Sequence, residues 1–114
     1  MRFFLISMLL FLLFSACSYN ELPLCETANP SYAECIEPIF LQHCMQCHNQ
    51  QIPSGNLSLA TYNEISEAVN SGNVIDRISR AESDPLVMPL GAPKLTENQI
   101  QLIVNWNANG TPNN

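Results

Sequence analysis

Apolar residues recur at helical spacing in several stretches of the chain, separated by polar or proline-rich segments. Residues 32–44 carry the first apolar face, made by Ile36, Ile39, Phe40 and Leu41. Pro38 lies within this stretch. Because proline has no backbone N–H for an inner helical turn, we expect the regular helix to begin near it, with Pro38 in the first turn.

Two capping boxes predict the starts of further helices. Thr61 is followed by Glu64, and Thr96 by Gln99, so each pair can satisfy two otherwise free backbone N–H groups. The apolar residues after them are Ile65, Ala68 and Val69 in the first case, and Ile100, Leu102, Ile103, Val104 and Trp106 in the second. Gly72 is a suitable stop for the first of these helices.

A short helix is also predicted from Asn73, with Val74, Ile75 and Ile78 as its apolar residues. Residues 81–95 form a proline-rich loop before the last helix. No alternating strand pattern or internal repeat stands out. The sequence therefore predicts an all-α domain of three to four short helices over residues 32–114.

The N-terminal pattern is different, because apolar residues run without interruption from Phe3 to Phe14. This run is shorter than the roughly 20 residues of a membrane-spanning helix. A basic residue precedes it and small residues follow it, which is the order of a signal peptide. We assign residues 1–16 to a signal peptide and residues 17–31 to a tether.

The end of the signal peptide, residues 13–17, resembles the lipobox of bacterial lipoproteins, in which the cysteine is lipidated. That cysteine is Cys17. Ordinary signal-peptidase cleavage is the alternative, but Phe14 fits its preference for small residues less well. Several acyl chains on Cys17 would hold the protein on a membrane of the cell envelope.

The charge balance indicates which classes of partner this protein could bind. From Cys17 onward, three basic residues stand against ten acidic ones, a formal balance of −7. Such a surface repels phosphates and argues against nucleic acid. It fits a basic or neutral protein partner, although solubility alone would also explain it.

The motif with the clearest chemistry is the run from Cys44 through Cys47 to His48. Two cysteines separated by two residues and followed by histidine are typical of covalent haem c attachment. The thiols add to the haem vinyl groups, and the histidine ligates the iron. A zinc site would need four ligands, usually with a second Cys/His pair, and a thiol redox pair would need a βαβ setting. We predict one haem c on Cys44 and Cys47, with His48 as the proximal axial ligand.

The remaining cysteines, Cys25 and Cys35, are expected to pair in an exported protein, with two free thiols as the alternative. A backbone carbonyl after the motif, such as that of Pro53, could accept the second N–H of His48. Leu57 and Leu59 are predicted at the haem edge.

Met88 is the predicted distal ligand. His43 and Met45 lie too close to the attachment cysteines to reach the other haem face, whereas Met88 lies in a proline-stiffened loop. The alternative is a methionine that fills the core. Histidine–methionine ligation raises the reduction potential relative to two histidines. Filling both axial positions also argues against catalysis at the iron.

Other residues have two interpretations each. Arg77, Arg80 and Lys94 are candidate partners for haem propionates or solvated charges. Tyr62 and Trp106 belong either to the haem edge or to the core.

Taken together, the stretch before Cys44, the motif itself, the Gly55–Leu59 run, Met88-Pro89 and the Ile103–Trp106 run resemble a small class I cytochrome c domain. Similar domains occur in exported proteins of Bacteroidetes and Planctomycetes. The resemblance covers residues 32–114. It implies a cytochrome c-like fold in which the first and last helices cross beside the haem, with Cys44, Cys47, His48 and Met88 in the roles given above.

These features favour a non-enzymatic electron carrier, tethered to a membrane and facing the periplasm or the cell surface, that exchanges electrons with redox proteins such as a dehydrogenase or oxidase. A haem-based sensor or peroxidase-like enzyme would instead need a displaceable distal ligand. A haem-bearing accessory subunit of an exported dehydrogenase is the third hypothesis.

Overall fold

A computed structural model describes residues 25–114 of the chain. The predicted signal peptide, the predicted lipidation site Cys17 and the first part of the predicted tether lie outside the described residues. Within residues 25–114 the protein is helical and contains no β-strand, which confirms the all-α class. One isolated β-bridge pairs His48 with Pro53.

Four α-helices form the described domain. They are α1 (Glu37–His43), α2 (Tyr62–Asn70), α3 (Asn73–Ser79) and α4 (Glu97–Ala108). A π-helical turn (Tyr32–Ile36) leads directly into α1, and a short 3-10 turn (Ser54–Asn56) lies between α1 and α2. Pro38 is in the first turn of α1 as predicted, because its missing N–H costs no hydrogen bond there.

Both predicted capping boxes are present. The Thr61 hydroxyl accepts from the Glu64 N–H, and the Glu64 carboxylate accepts from the Thr61 N–H at 3.0 Å. Thr96 and Gln99 make the same reciprocal pair at the start of α4. Gly72 ends α2 with a left-handed φ of 81° and is also the residue from which α3 begins.

The core lies between the π-helical turn and all four helices. Its most deeply buried large side chains are Ile36, Phe40, Ile65, Val69, Ile103 and Trp106. Leu41, predicted on the apolar face of α1, is instead 51% exposed. Tyr32 packs on both Tyr62 and Trp106, with ring centroids 5.0 and 5.6 Å away. Trp106 therefore belongs to the core, and Tyr62 packs half-buried beside it. This aromatic group joins the first and last helical elements of the domain.

The C-terminal segment is fastened to α2 through Thr111, a buried polar residue. Its carbonyl oxygen accepts from the Tyr62 hydroxyl at 2.6 Å, and its own hydroxyl lies 3.1 Å from that of Ser66. Asn70 donates to the same Thr111 hydroxyl at 3.2 Å. Buried polar groups need such partners, so this contact fixes how the chain leaves α4.

Residues 25–31, predicted as part of the tether, lie against the domain. The sulfurs of Cys25 and Cys35 are bonded to each other. Asn105 of α4 donates to the Thr27 carbonyl at 2.7 Å, and Asn109 donates to the Ala28 carbonyl at 2.8 Å. This part of the chain is thus held by one covalent bond and by side chains at the end of α4.

Removing the Cys25–Cys35 bond should lower the stability of the domain. The bond closes a segment with a sequence separation of 10 residues, and in the chain-entropy model a loop of that size contributes about 2–3 kcal/mol. The Cys25→Ser/Cys35→Ser double variant should lose this amount of unfolding free energy in a denaturant titration. An unchanged unfolding free energy would contradict the structural role of this bond.

Candidate haem site

The Cys44–His48 motif forms the turn that follows α1. The Cys44 N–H donates to the Phe40 carbonyl at 2.9 Å, so the helical path continues into the motif. The N–H groups of Cys47 and His48 then both donate to the Cys44 carbonyl, at 3.2 and 3.0 Å. Both cysteines and the histidine therefore lie within a single turn of the chain.

The two thiols of the motif are free and differ in exposure. Cys44 is half-buried and packs against the core, whereas Cys47 is exposed. Burial raises the pKa of the Cys44 thiol to about 11. Cys44 is therefore a neutral thiol near neutral pH. Within residues 25–114, no three His, Cys, Asp or Glu residues lie together in a group that could hold a metal ion.

The His48 ring is oriented by a backbone carbonyl. Its Nδ1 lies 3.3 Å from the Leu57 carbonyl oxygen. Since a carbonyl only accepts, Nδ1 must carry the proton in this hydrogen bond. In the neutral ring this leaves the lone pair on Nε2. A histidine held in this way presents Nε2 as a metal ligand, and the hydrogen bond increases its donor strength.

The prediction that the Pro53 carbonyl accepts a hydrogen bond from the His48 ring is wrong. That carbonyl accepts from the Asn56 N–H at 2.8 Å and thus closes its own 3-10 turn. Gly55 and Asn56 then both have left-handed φ values, 65° and 57°. The backbone reverses there, so the carbonyl that meets His48 comes four residues later, from Leu57.

Asn49 organises the loop after the motif, a role that the sequence analysis missed. Its side-chain oxygen accepts from the N–H groups of Gln51 and Ile52, at 2.9 and 2.8 Å. Its side-chain nitrogen donates to the Met45 carbonyl at 2.8 Å. Asparagine commonly forms such local turns, and its position directly after His48 was the available signal.

Leu57 and Leu59, both predicted at the haem edge, have different surroundings. Leu59 is 3% exposed and belongs to the core, and its N–H donates to the His48 carbonyl at 2.8 Å. Leu57 is half-buried at the margin of the core. Cys44 and Met88 are also half-buried and pack against the same core cluster. The structure thus brings four of the predicted haem contacts to one apolar cluster.

Met88 lies in the loop between α3 and α4, as predicted. Its N–H donates to the Arg77 carbonyl of α3 at 3.1 Å. On either side of it, Leu86 and Leu90 are 46% and 68% exposed. Most residues between 82 and 94, although not Leu86 or Met88, line an open groove of about 500 Å³. The half-buried Met88 is therefore flanked by two large apolar side chains that are exposed over about half of their surface or more.

Two of the three candidate cations, and also His43, have protein partners of their own. Arg77 and Arg80 lie beside the carboxylate of Asp76, with nitrogen–oxygen distances of 3.9 and 2.9 Å. The Nε2 of His43 lies 3.2 Å from the side-chain nitrogen of Gln99. An amide nitrogen only donates, so His43 accepts here and connects the end of α1 to the start of α4. The sequence analysis did not anticipate this second role of Gln99.

No protein-family model matches the chain, and no curated protein and no solved structure is significantly similar to it. Among the helices of residues 25–114, none has the length and apolar character to cross a membrane.

Gly55→Ala should destabilise the turn that brings the Leu57 carbonyl to His48. Nothing lies within 4 Å of a Cβ at this position, so the cost comes from the left-handed backbone alone. It should be about 1 kcal/mol of unfolding free energy. Ser54→Ala, in the same turn but outside the left-handed region, is the matched control and should change little. Equal unfolding free energies for both variants would contradict this account of the turn.

Proposed function

We propose that this chain is a monohaem c-type cytochrome that transfers single electrons between redox proteins of the cell envelope. The observation that carries the proposal is the hydrogen bond between His48 Nδ1 and the Leu57 carbonyl, 3.3 Å long. It leaves Nε2 available for iron directly after two free cysteines in one turn. A thiol redox pair does not require this orientation of the ring. A zinc site would use it too, but would need four ligands.

The cysteines fit covalent attachment of haem c. Cys44 and Cys47 remain thiols while Cys25 and Cys35 are bonded to each other, so the four cysteines of the described residues divide into two pairs. Cys44 meets the core and Cys47 faces outward. A flat apolar group attached to both would lie along the margin of the core beside Leu57.

We propose Met88 as the distal ligand. Its backbone is held by Arg77, and its side chain packs on the same cluster as Cys44. Thioether sulfur is a soft, neutral ligand that favours ferrous iron. Leu86 and Leu90 beside it would cover the haem face from water. A bound haem c supplies a one-electron couple between ferric and ferrous iron.

The cellular setting follows from the sequence and is part of the same proposal. A signal peptide over residues 1–16 and lipid on Cys17 would place the domain on a membrane of the cell envelope, facing the periplasm or the cell surface. A cytochrome c-like fold over residues 32–114 is compatible with the contact between the π-helical turn and α4. The acidic balance of −7 from Cys17 onward favours a partner with a basic or neutral docking surface.

Changing the attachment cysteines should alter how haem is held. In protein matured with the haem c attachment machinery, haem should resist extraction into acidified organic solvent, because thioether bonds do not dissociate. Cys47→Ser should retain haem through Cys44 alone, and Cys44→Ser/Cys47→Ser should release it. The Cys25→Ser/Cys35→Ser variant is the control and should keep covalent haem. Extractable haem, or bound zinc without haem, in the parent protein would contradict the proposal.

Met88→Leu should abolish the far-red absorption band of ferric haem that reports a methionine sulfur ligand. Leucine keeps the side-chain volume but has no sulfur. Met45→Leu changes the other methionine of residues 25–114 and is the matched control, so its band should remain. Both variants and the parent are compared by absorption spectroscopy, with and without carbon monoxide.

Two results would contradict methionine ligation by Met88. One is covalent haem without the band in the parent protein, and the other is loss of the band in Met45→Leu alone. Immediate binding of carbon monoxide by the parent would instead favour the haem-based sensor or peroxidase-like enzyme.

A further inference from the structure

The loop that carries Met88 is joined to helix α3 by side chains for which the proposed function gives no role. The Met88 N–H donates to the Arg77 carbonyl at 3.1 Å. The Arg77 side chain also contacts the loop, because its Nη1 donates to the Leu86 carbonyl at 3.3 Å. One residue of α3 therefore contacts the loop at Met88 and again two residues before it.

Arg80 makes a second connection, which bridges two carboxylates. Its Nε and Nη2 both donate to Oδ2 of Asp76, at 3.0 and 2.9 Å. Its Nη1 donates to Oδ2 of Asp84 at 3.0 Å. Asp76 belongs to α3 and Asp84 to the loop, so a single guanidinium joins the helix to the loop. Lysine could not do this in the same way, because its ammonium lacks the planar fork.

Asp84 also forms hydrogen bonds to the two residues that precede Met88. Its other oxygen, Oδ1, accepts from the Leu86 N–H at 2.8 Å, and its carbonyl accepts from the Val87 N–H at 3.1 Å. The Leu86 N–H and the Arg80 guanidinium hold the pKa of the Asp84 carboxyl below its ordinary value. Leu86 is consequently held at its N–H by Asp84 and at its carbonyl by Arg77.

We propose that Arg80 is a positioning residue for Met88 and acts through Asp84 and Leu86. The hydrogen bonds from Arg80 to Asp84 and from Leu86 to Asp84 form a clip. This clip keeps the methionine sulfur in place as the distal ligand. The inference rests on the proposed function, because it needs Met88 on the iron. It also assigns Arg80 to the loop rather than to a haem propionate, since three of its five N–H groups donate to the carboxylates of Asp76 and Asp84.

The clip acts on local opening of the loop rather than on the whole fold. The Arg80 side chain is 30% exposed and that of Asp84 is 31% exposed, so water weakens their attraction without abolishing it. None of the hydrogen bonds made by the Arg80 and Asp84 side chains involves a residue of α2 or α4. Without the clip, the Met88 loop should open locally, and this opening should require less free energy than unfolding of the whole domain.

The test compares Arg80→Gln with Lys94→Gln in the haem-loaded protein. Both variants remove one positive charge near the same loop, but Lys94 takes part in no ion pair within residues 25–114. In the ferrous protein, carbon monoxide binding requires Met88 to leave the iron. Its observed rate should rise between about 1.4-fold and fivefold in Arg80→Gln, the range expected from the one partly exposed ion pair that joins α3 to the loop. Lys94→Gln should bind at the parent rate.

Two further readouts separate positioning from a general loss of stability. The far-red methionine band should disappear on heating at a lower temperature in Arg80→Gln, while the helical circular dichroism signal melts close to the parent. Arg80→Lys should restore only part of the parent behaviour. The Arg80→Gln/Asp84→Asn double variant should be no faster in carbon monoxide binding than Arg80→Gln, because the two residues act through one connection.

Each outcome decides the inference. Parent-like carbon monoxide binding and band melting in Arg80→Gln, with the band present in the parent, overturns the clip and leaves the proposed function intact. A parent protein without the methionine band overturns both. If Arg80→Gln yields no folded protein, Asp84→Asn makes the same comparison from the loop side, and parent-like binding in that variant overturns the clip.

Discussion

The hydrogen bond between His48 Nδ1 and the Leu57 carbonyl governs what the motif after α1 can do. An imidazole with one nitrogen donating to a backbone oxygen has its proton and its ring orientation fixed, and only the other nitrogen remains to bind iron. The bond depends on a loop that returns to the motif within nine residues. Asn49 at its start and the left-handed Gly55 and Asn56 near its end make that return possible.

This loop is joined to the core of the domain through Leu59. The Leu59 N–H donates to the His48 carbonyl, and the Leu59 side chain is buried in the core that α2 and α4 form. Trp106 and Tyr32 join the ends of the domain within this core. The same core receives Cys44 and Met88 at its margin. Packing against one cluster is therefore what relates the attachment turn to the loop of the proposed distal ligand.

Features with local causes could be predicted from the sequence. The two capping boxes, the place of Pro38 in the first turn of α1 and the stop at Gly72 each depend on residues within one helical turn, and the structure contains all of them. The segment Cys44–His48 is equally local, since the N–H groups of Cys47 and His48 both donate to the Cys44 carbonyl.

Features that depend on distant chain segments, or on left-handed backbone away from a helix end, could not be predicted. Pro53 was the wrong carbonyl because the reversal at Gly55 and Asn56 is not encoded in a spacing rule. The bond between His43 and Gln99 joins residues 56 positions apart, so no local pattern reports it. The arginines were ambiguous for a related reason: an isolated cation in a sequence does not show which carboxylate it meets.

The central claim is that one covalently bound haem lies between His48 Nε2 and the Met88 sulfur. Proton NMR of the reduced, haem-loaded protein tests it most directly, because a methyl group on an axial sulfur lies in the ring current of the haem. The account predicts a strongly upfield-shifted methyl resonance assigned to Met88, together with a slowly exchanging His48 Nδ1 proton close to Leu57. A reduced protein with high-spin iron and no such methyl resonance, or a resonance assigned to Met45, would contradict it.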